Sequence, residues 1–214
     1  PSLNLPSATA LASSWDPDIA RRYGAAAAVE ARRKGVDVVL GPTINLHRSP
    51  LGGRHFEAFS EDPVLTADLA AAYVNGVQDN GVGATPKHYV ANDSETDRFT
   101  VDVRVSDRAL RELYLLAFEK AVTQARAWVV MSSYNSVNGT TATENDLLET
   151  PLNSEWDFDG VVVSDWTAVR SLAAARASQD LVMPGPDGPW GDALVRAVRS
   201  GEIPAAGVGR KGAP

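Results

Sequence analysis

The chain contains no cysteine. Disulfides, thiolate nucleophiles and thiolate metal sites are therefore excluded, while the compartment stays open. Positive charge is scarce as well. Twenty Lys and Arg face 27 Asp and Glu, for a formal net charge of −7, which argues against a nucleic-acid partner that wants a basic face. No run of about 18 apolar residues occurs, so no segment reads as a membrane-spanning helix. The opening residues, PSLNLPSATALASSWDPD, lack the basic and apolar regions of a secretory signal, which says nothing of what precedes them. No Walker A sequence and no GxSxG elbow are found. His47, His55 and His88 do not form HExxH, so no metal is expected. Gly207–Gly212 (GVGRKG) fits GxGxxG, but no strand precedes it and no helix has room to follow. It reads as part of a flexible tail, 204–214. Asn92 and Asn138 begin N-x-S/T triplets, and we take both as chance.

What is present alternates. With 214 residues the chain has room for one domain that buries about 70% of its unfolded surface. Asp16-Pro17 starts a helix that Gly35 ends, and Val36–Leu40 reads as a strand closed by Gly41-Pro42. A long loop leads to Asp62-Pro63, which opens a second helix running to Asn80-Gly81, and Gly83–Thr85 is a short strand before Lys87-His88. Ser106 caps a helix with a stripe of Leu110, Leu113, Tyr114, Ala117 and Ala121. Ala127–Met131 is a strand, Ser132–Gly139 its polar exit loop, and Glu144–Glu155 a weaker helix. Then come a valine strand at 161–163, a helix over Thr167–Ala177, a short strand at Leu181–Met183 and a helix over Asp192–Ser200.

Such alternation is the pattern of βα units around a parallel sheet. Polar clusters follow the strands: Arg48 and Arg54, Lys87-His88, Tyr134-Asn135 and Ser164-Asp165-Trp166. In a (β/α) barrel those positions converge on the C-terminal face, where active sites sit, whereas a doubly wound sheet focuses ligands at one switch point. Several loaded strand ends favour the barrel. About five strands are visible, so the expectation is a partial (β/α)8 TIM-type barrel over residues 1–203.

The segment Asp157–Trp166, DFDGVVVSDW, is the most pointed. A β-branched run suits a strand buried on both faces, and a carboxylate with an indole at its end stands where such enzymes place their chemistry. Taken alone, Ser164-Asp165 also fits a simple helix cap. Arg54, with Glu57 and Glu61 close by, fits an ion pair; Tyr134 and Trp166 fit ordinary packing. Lys87-His88 directly after an apolar strand fits a pocket better, because Lys, Arg and neutral His can donate to hydroxyls. Together these residues make a set of donors, an aromatic face and one carboxylate, the requirements of sugar binding and of an oxocarbenium-like transition state.

The strings GPTINLHRSPLGGRHFEAFSEDP, KHYVANDSETDR, MSSYNSVNG and GVVVSDW, in this order, resemble the β-glucosidases of glycoside hydrolase family 3. The likeness runs from about Leu5 to Pro204. It implies that Asp165 is the catalytic nucleophile and that Trp166 lines the subsite of the transferred sugar. It also implies that Arg54, Lys87, His88, Arg98 and Tyr134 contact sugar hydroxyls or the nucleophile. The family's N-acetylglucosaminidase branch carries a different loop, of the Lys-His-Phe-Pro-Gly-His-Gly type, where this chain has KHYVANDSE.

The resemblance further implies a sugar-binding aspartate on an earlier barrel strand and an acid/base glutamate in a later α/β domain, neither present here. The expectation is a piece of a larger retaining β-glucosidase, inactive by itself, with a carbohydrate substrate, its own missing C-terminal domain as partner, and no cofactor or metal. Its rivals are a non-catalytic sugar-binding remnant and, within the family, a β-xylosidase or arabinosidase.

Overall fold

The computed structural model describes residues 2–186 and 188–205. The Gly207–Gly212 match, and the expected tail apart from Pro204 and Ala205, lie outside the described residues. Helix α1 (Ala8–Ala12), capped by Ser7, precedes α2 (Pro17–Arg33). The Asp16 side chain accepts from the N–H groups of Asp18 and Ile19, and Pro17 occupies the first turn, where its missing N–H is not needed. Helix α3 (Pro63–Gln78) starts in the same way from Asp62. The two helices cross at glycines. A Cβ on Gly76 would fall 2.0 Å from the Arg21 carbonyl oxygen, and one on Gly24 2.4 Å from that of Tyr73. Only a residue without a side chain lets the backbones approach so closely.

Strand β1 (Val38–Val39) lies parallel to β2 (Gly83–Ala84), with Val38 opposite Gly83. The pairing continues beyond them. Thr85 N donates to Gly41 O (2.8 Å), Lys87 N to Pro42 O (3.0 Å) and Ile44 N to Lys87 O (2.7 Å). Strand β3 (Lys87–Tyr89) then pairs with β5 (Val129–Ser132), and β5 with β8 (Val161–Ser164), all parallel. Beyond β8, Leu181 bridges Val163 in parallel. The strand segments thus lie side by side in chain order, the progression of a partial barrel. Of the expected strands, the one over 181–183 reduces to the single bridge at Leu181. Val130 and Val162 at the centre of this run are fully buried, as are Val74, Val77 and Phe118 on the covering helices.

Several local expectations fail for identifiable reasons. The helix begun by Ser106 is broken into α4 (Asp107–Ala109), a π-turn at Leu110–Tyr114 and α5 (Leu116–Thr123). The extra residue in the π-turn rotates the buried face, so that Leu115 and Phe118 are buried while Leu113 and Tyr114 are only half-buried. Residues 144–155 are not one helix. Short turns at Ala142–Glu144 and Asp146–Leu148 lead to a π-turn at Glu149–Asn153, in which Thr150 is extended (φ −127°, ψ 111°). Pro151 follows, and the residue before a proline is forced out of helical space. The expected helix over 167–177 reduces to a 3₁₀ turn at Leu172–Ala175. The polar loop after β5 holds a hairpin of β6 (Ser136–Val137) and β7 (Thr140–Thr141), with β4 (Asp102–Val103) parallel to β6. Asn138 and Gly139 at its turn both have positive φ (52° and 100°), the conformation an Asn-Gly pair favours. Helix α6 (Asp192–Arg199) closes the described chain near its expected place.

Candidate active site

Strand β8 delivers Asp165 to the end of the parallel run. Its backbone N–H donates to Ser132 O (3.0 Å) on the neighbouring strand, and the Ser164 hydroxyl accepts from Met183 N (2.9 Å) on the other side. The strand end is therefore held from both flanks. Asp165 is 8% exposed. Its Oδ1 accepts the Trp166 backbone N–H at 2.7 Å, and its Oδ2 lies 3.5 Å from His88 Nε2. The Trp166 indole stands partly open to solvent at 39% exposure.

Strand β3 brings Lys87 and His88 to the same end. Asn45 holds His88 by three contacts: Nδ2 donates to His88 O (2.9 Å), while Oδ1 receives His88 N–H (2.9 Å) and faces Nδ1 (3.0 Å). Burial, reinforced by the charges of Arg54, Lys87 and Arg98, holds the His88 pKa well below the usual imidazole value. The Lys87 ammonium has no hydrogen bond or ion pair within 4 Å among the described residues, although its backbone is paired. Burial lowers its pKa, Arg54 adds to the lowering, and the Glu57 and Asp165 charges oppose it.

Arginines and carboxylates alternate around this centre. Arg54 Nε pairs with Glu57 Oε1 at 2.5 Å and Arg54 Nη1 with Glu95 Oε1 at 3.7 Å; Glu95 Oε2 in turn holds Arg98 Nη1 at 2.8 Å. The partner of Arg54 is thus Glu57, as expected, with Glu95 in place of Glu61. Burial works against the Arg54 charge, but Glu57, Glu95 and Asp165 outweigh it and raise its pKa. Burial likewise opposes ionisation of Glu57, yet Arg54 and Lys87 hold its carboxyl below the usual range. The Arg98 guanidinium stacks over Tyr134 (4.7 Å to the ring centroid) and Phe99 (5.0 Å). Burial first, then the Asp165 carboxylate, pushes the Tyr134 phenol up to about 12. A small pocket opens beside the centre, with Asn45, Arg54, His88, Asn92, Asp93 and Glu95 among its lining. Asp93, pushed up to about 6 by burial, accepts Leu46 N–H at 2.6 Å and so ties the loop carrying Arg54 to the segment after β3.

The structure therefore gathers Arg54, Lys87, His88, Arg98 and Tyr134 about Asp165, with Trp166 attached through its backbone. Sequence reasoning missed Asn45, Asp93 and Glu95. The one available signal for Asn45 was a lone amide between Ile44 and Leu46, both buried. Among the described residues no group of three His, Asp or Glu could hold a metal ion, and no helix is long and apolar enough to cross a membrane.

A family model described as "Glycosyl hydrolase family 3 N terminal domain" matches residues 2–186. A β-glucosidase of Rhizobium radiobacter is 52% identical over 205 residues, covering 95% of this chain and 25% of that protein. An exo-α-(1→6)-L-arabinopyranosidase of Bifidobacterium longum is 46% identical over 212 residues, covering 98% of this chain and 28% of that protein. Among solved structures, β-glucosidase 3B of Thermotoga neapolitana in complex with α-D-glucose superposes with a TM-score of 0.92 at 42% identity, covering 96% of this chain and 30% of its own. The chain spans about a quarter of the length of the curated relatives it matches.

Proposed function

The chain belongs to glycosyl hydrolase family 3 by its N-terminal domain, and from that membership we propose that it forms the nucleophile-bearing part of a retaining β-glucosidase. The parallel run from β1 to Leu181 is then a portion of a (β/α)8 barrel, with its site at the C-terminal strand ends. A carboxylate oxygen of Asp165 bonds to the anomeric carbon as the glycosidic C–O bond breaks, and a carboxylic acid protonates the departing oxygen. Water then attacks the glycosyl-enzyme, surrenders a proton to that same group, and releases Asp165.

The observation that carries this reading is the state of Asp165 and its surroundings. It is a nearly buried carboxylate that accepts from the Trp166 backbone N–H and the Tyr134 phenol, set beside a half-buried ammonium, Lys87, that has no acceptor among the described residues. An idle ammonium beside a nucleophilic carboxylate fits a ligand rich in hydroxyls. Glu57 is held ionised by Arg54, and Glu95 is engaged by two arginines, so neither suits the proton-donating acid. We assign that acid to the remainder of a longer protein, about 5–5.5 Å from Asp165 as in retaining enzymes generally.

The test is the anomeric configuration of the first product when the full-length protein hydrolyses a nitrophenyl β-glucoside, followed by NMR. The β anomer is expected. An initial α anomer, or hydrolysis undiminished in Asp165→Asn, overturns the reading. The likeness to an arabinopyranosidase favours a second reading, a pentoside substrate on the same machinery, so nitrophenyl xyloside and arabinopyranoside belong in the same series.

A further inference from the structure

We propose that Asn45 is a positioning residue that fixes the tautomer of His88, keeping the ring proton on Nδ1 and turning a bare Nε2 toward Asp165. The inference rests on the reading of Asp165 as nucleophile. The backbone of His88 settles the orientation of the amide. Its N–H can only donate, so the Asn45 atom 2.9 Å away is the carbonyl oxygen; its C=O can only accept, so the atom facing it at 2.9 Å is the amide nitrogen. The oxygen thus pinned also faces Nδ1 at 3.0 Å. An amide oxygen has no proton to give, so Nδ1 must carry one.

A neutral ring has one N–H, which leaves Nε2 as a lone pair facing Asp165 Oδ2. The 3.5 Å between them is longer than the usual N–H···O range of about 2.7–3.2 Å, as expected of two acceptors with no proton between them. His88 is 2% and Asn45 7% exposed, so water does not readily scramble the arrangement. The consequence reverses the sequence expectation that neutral His88 donates. An Nε2–H would donate to Asp165, stabilise its charge and blunt its attack. With Nε2 bare, the ring takes no part in neutralising Asp165, whose side-chain donor is the Tyr134 phenol, and a substrate hydroxyl beside the pair can donate to Nε2. The charges that bear on His88 besides Asp165 are Arg54, Lys87 and Arg98, all cationic. They disfavour a second ring proton and leave Asn45 to choose which nitrogen keeps the first.

The direct test is long-range ¹H–¹⁵N NMR of the full-length protein labelled with ¹⁵N-histidine, the His88 signals being assigned by their loss in His88→Gln. A neutral ring protonated at Nδ1 near pH 7 is expected, and Nε2–H or imidazolium overturns the proposal. This readout does not depend on turnover, so it separates failure here from failure of the nucleophile assignment. A second arm uses Asn45→Asp and Asn45→Ala. The aspartate keeps the oxygen facing Nδ1 but adds a negative charge, which favours imidazolium and brings an N–H against Asp165. The acid limb of its kcat/KM profile should move to higher pH, with kcat near neutrality falling about tenfold or more. The alanine variant should lose kcat without that upward move. If both variants keep the wild-type pH profile and lose only thermal stability, Asn45 is merely structural.

Discussion

Lys87 is the residue whose role is easiest to separate from the fold. It lies in β3, where its backbone pairs with the segment after β1 and with β5, yet its ammonium bonds to nothing among the described residues. Lys87→Ala should therefore lower kcat/KM of the full-length protein by about 10-fold or more, since a hydrogen bond to a charged donor contributes about 1.5–3 kcal/mol. Thermal melting should barely change, and unfolding without a separate kinetic effect would make Lys87 a structural residue. His88 gives a prediction of the opposite kind. Its folded pKa is depressed, so the unfolded chain takes up a proton first as the pH falls through about 6.5. Its contribution to stability is full above that value and is lost progressively below it, down to the folded pKa. Urea unfolding at pH 7.5 and 5.5 should show a larger loss in the wild type than in His88→Gln; equal losses would mean that His88 is not held neutral. Asp165-Trp166 and Lys87-His88 were legible because polar residues ending apolar strands are unusual in sequence. Asn45 was not, because its meaning depends on a partner brought from a distant part of the chain: it meets His88 across 43 positions.

The two long helices were readable from their ends. Asp-Pro at each start supplies both a side-chain acceptor and a proline where no N–H is needed, and the structure uses both. Their mutual approach was not readable, since nothing in the local sequence says that Gly76 meets Arg21. Gly76→Ala would push a methyl into the Arg21 carbonyl, a backbone contact that cannot swing away. A loss of about 1–3 kcal/mol or more is expected from such overpacking. Denaturant titration checks it, and an unchanged midpoint would show that α2 and α3 can slide apart freely. The segment around Thr150 shows the reverse lesson. Pro151 is visible in the sequence, and the backbone restriction before it breaks the helix expected over 144–155. The π-turn at Leu110–Tyr114 left no such mark, because one extra residue in a turn is a packing outcome rather than a pattern.

Across the whole molecule the parallel run leaves apolar residues open at its outer segments. On one side Val36, Val38 and Leu40 are 41%, 38% and 40% exposed, and on the other Leu181 is 49% exposed. Parallel edges of this kind invite further pairing. Residues 1–214 produced alone should associate, as judged by sedimentation, and should not hydrolyse cellobiose at about 1–10³ s⁻¹, the ordinary enzyme range. Turnover at such rates would place the missing acid within this chain. On the proposed reading one carboxylate, Asp165 at the end of β8, carries the covalent step. The full-length protein incubated with an activated 2-deoxy-2-fluoro-β-glucoside, which forms the glycosyl-enzyme but releases it slowly, should retain one sugar per active site. Peptide mapping should find it on Asp165. A label on any other carboxylate, or no covalent adduct while the parent glucoside is still hydrolysed, would contradict the account.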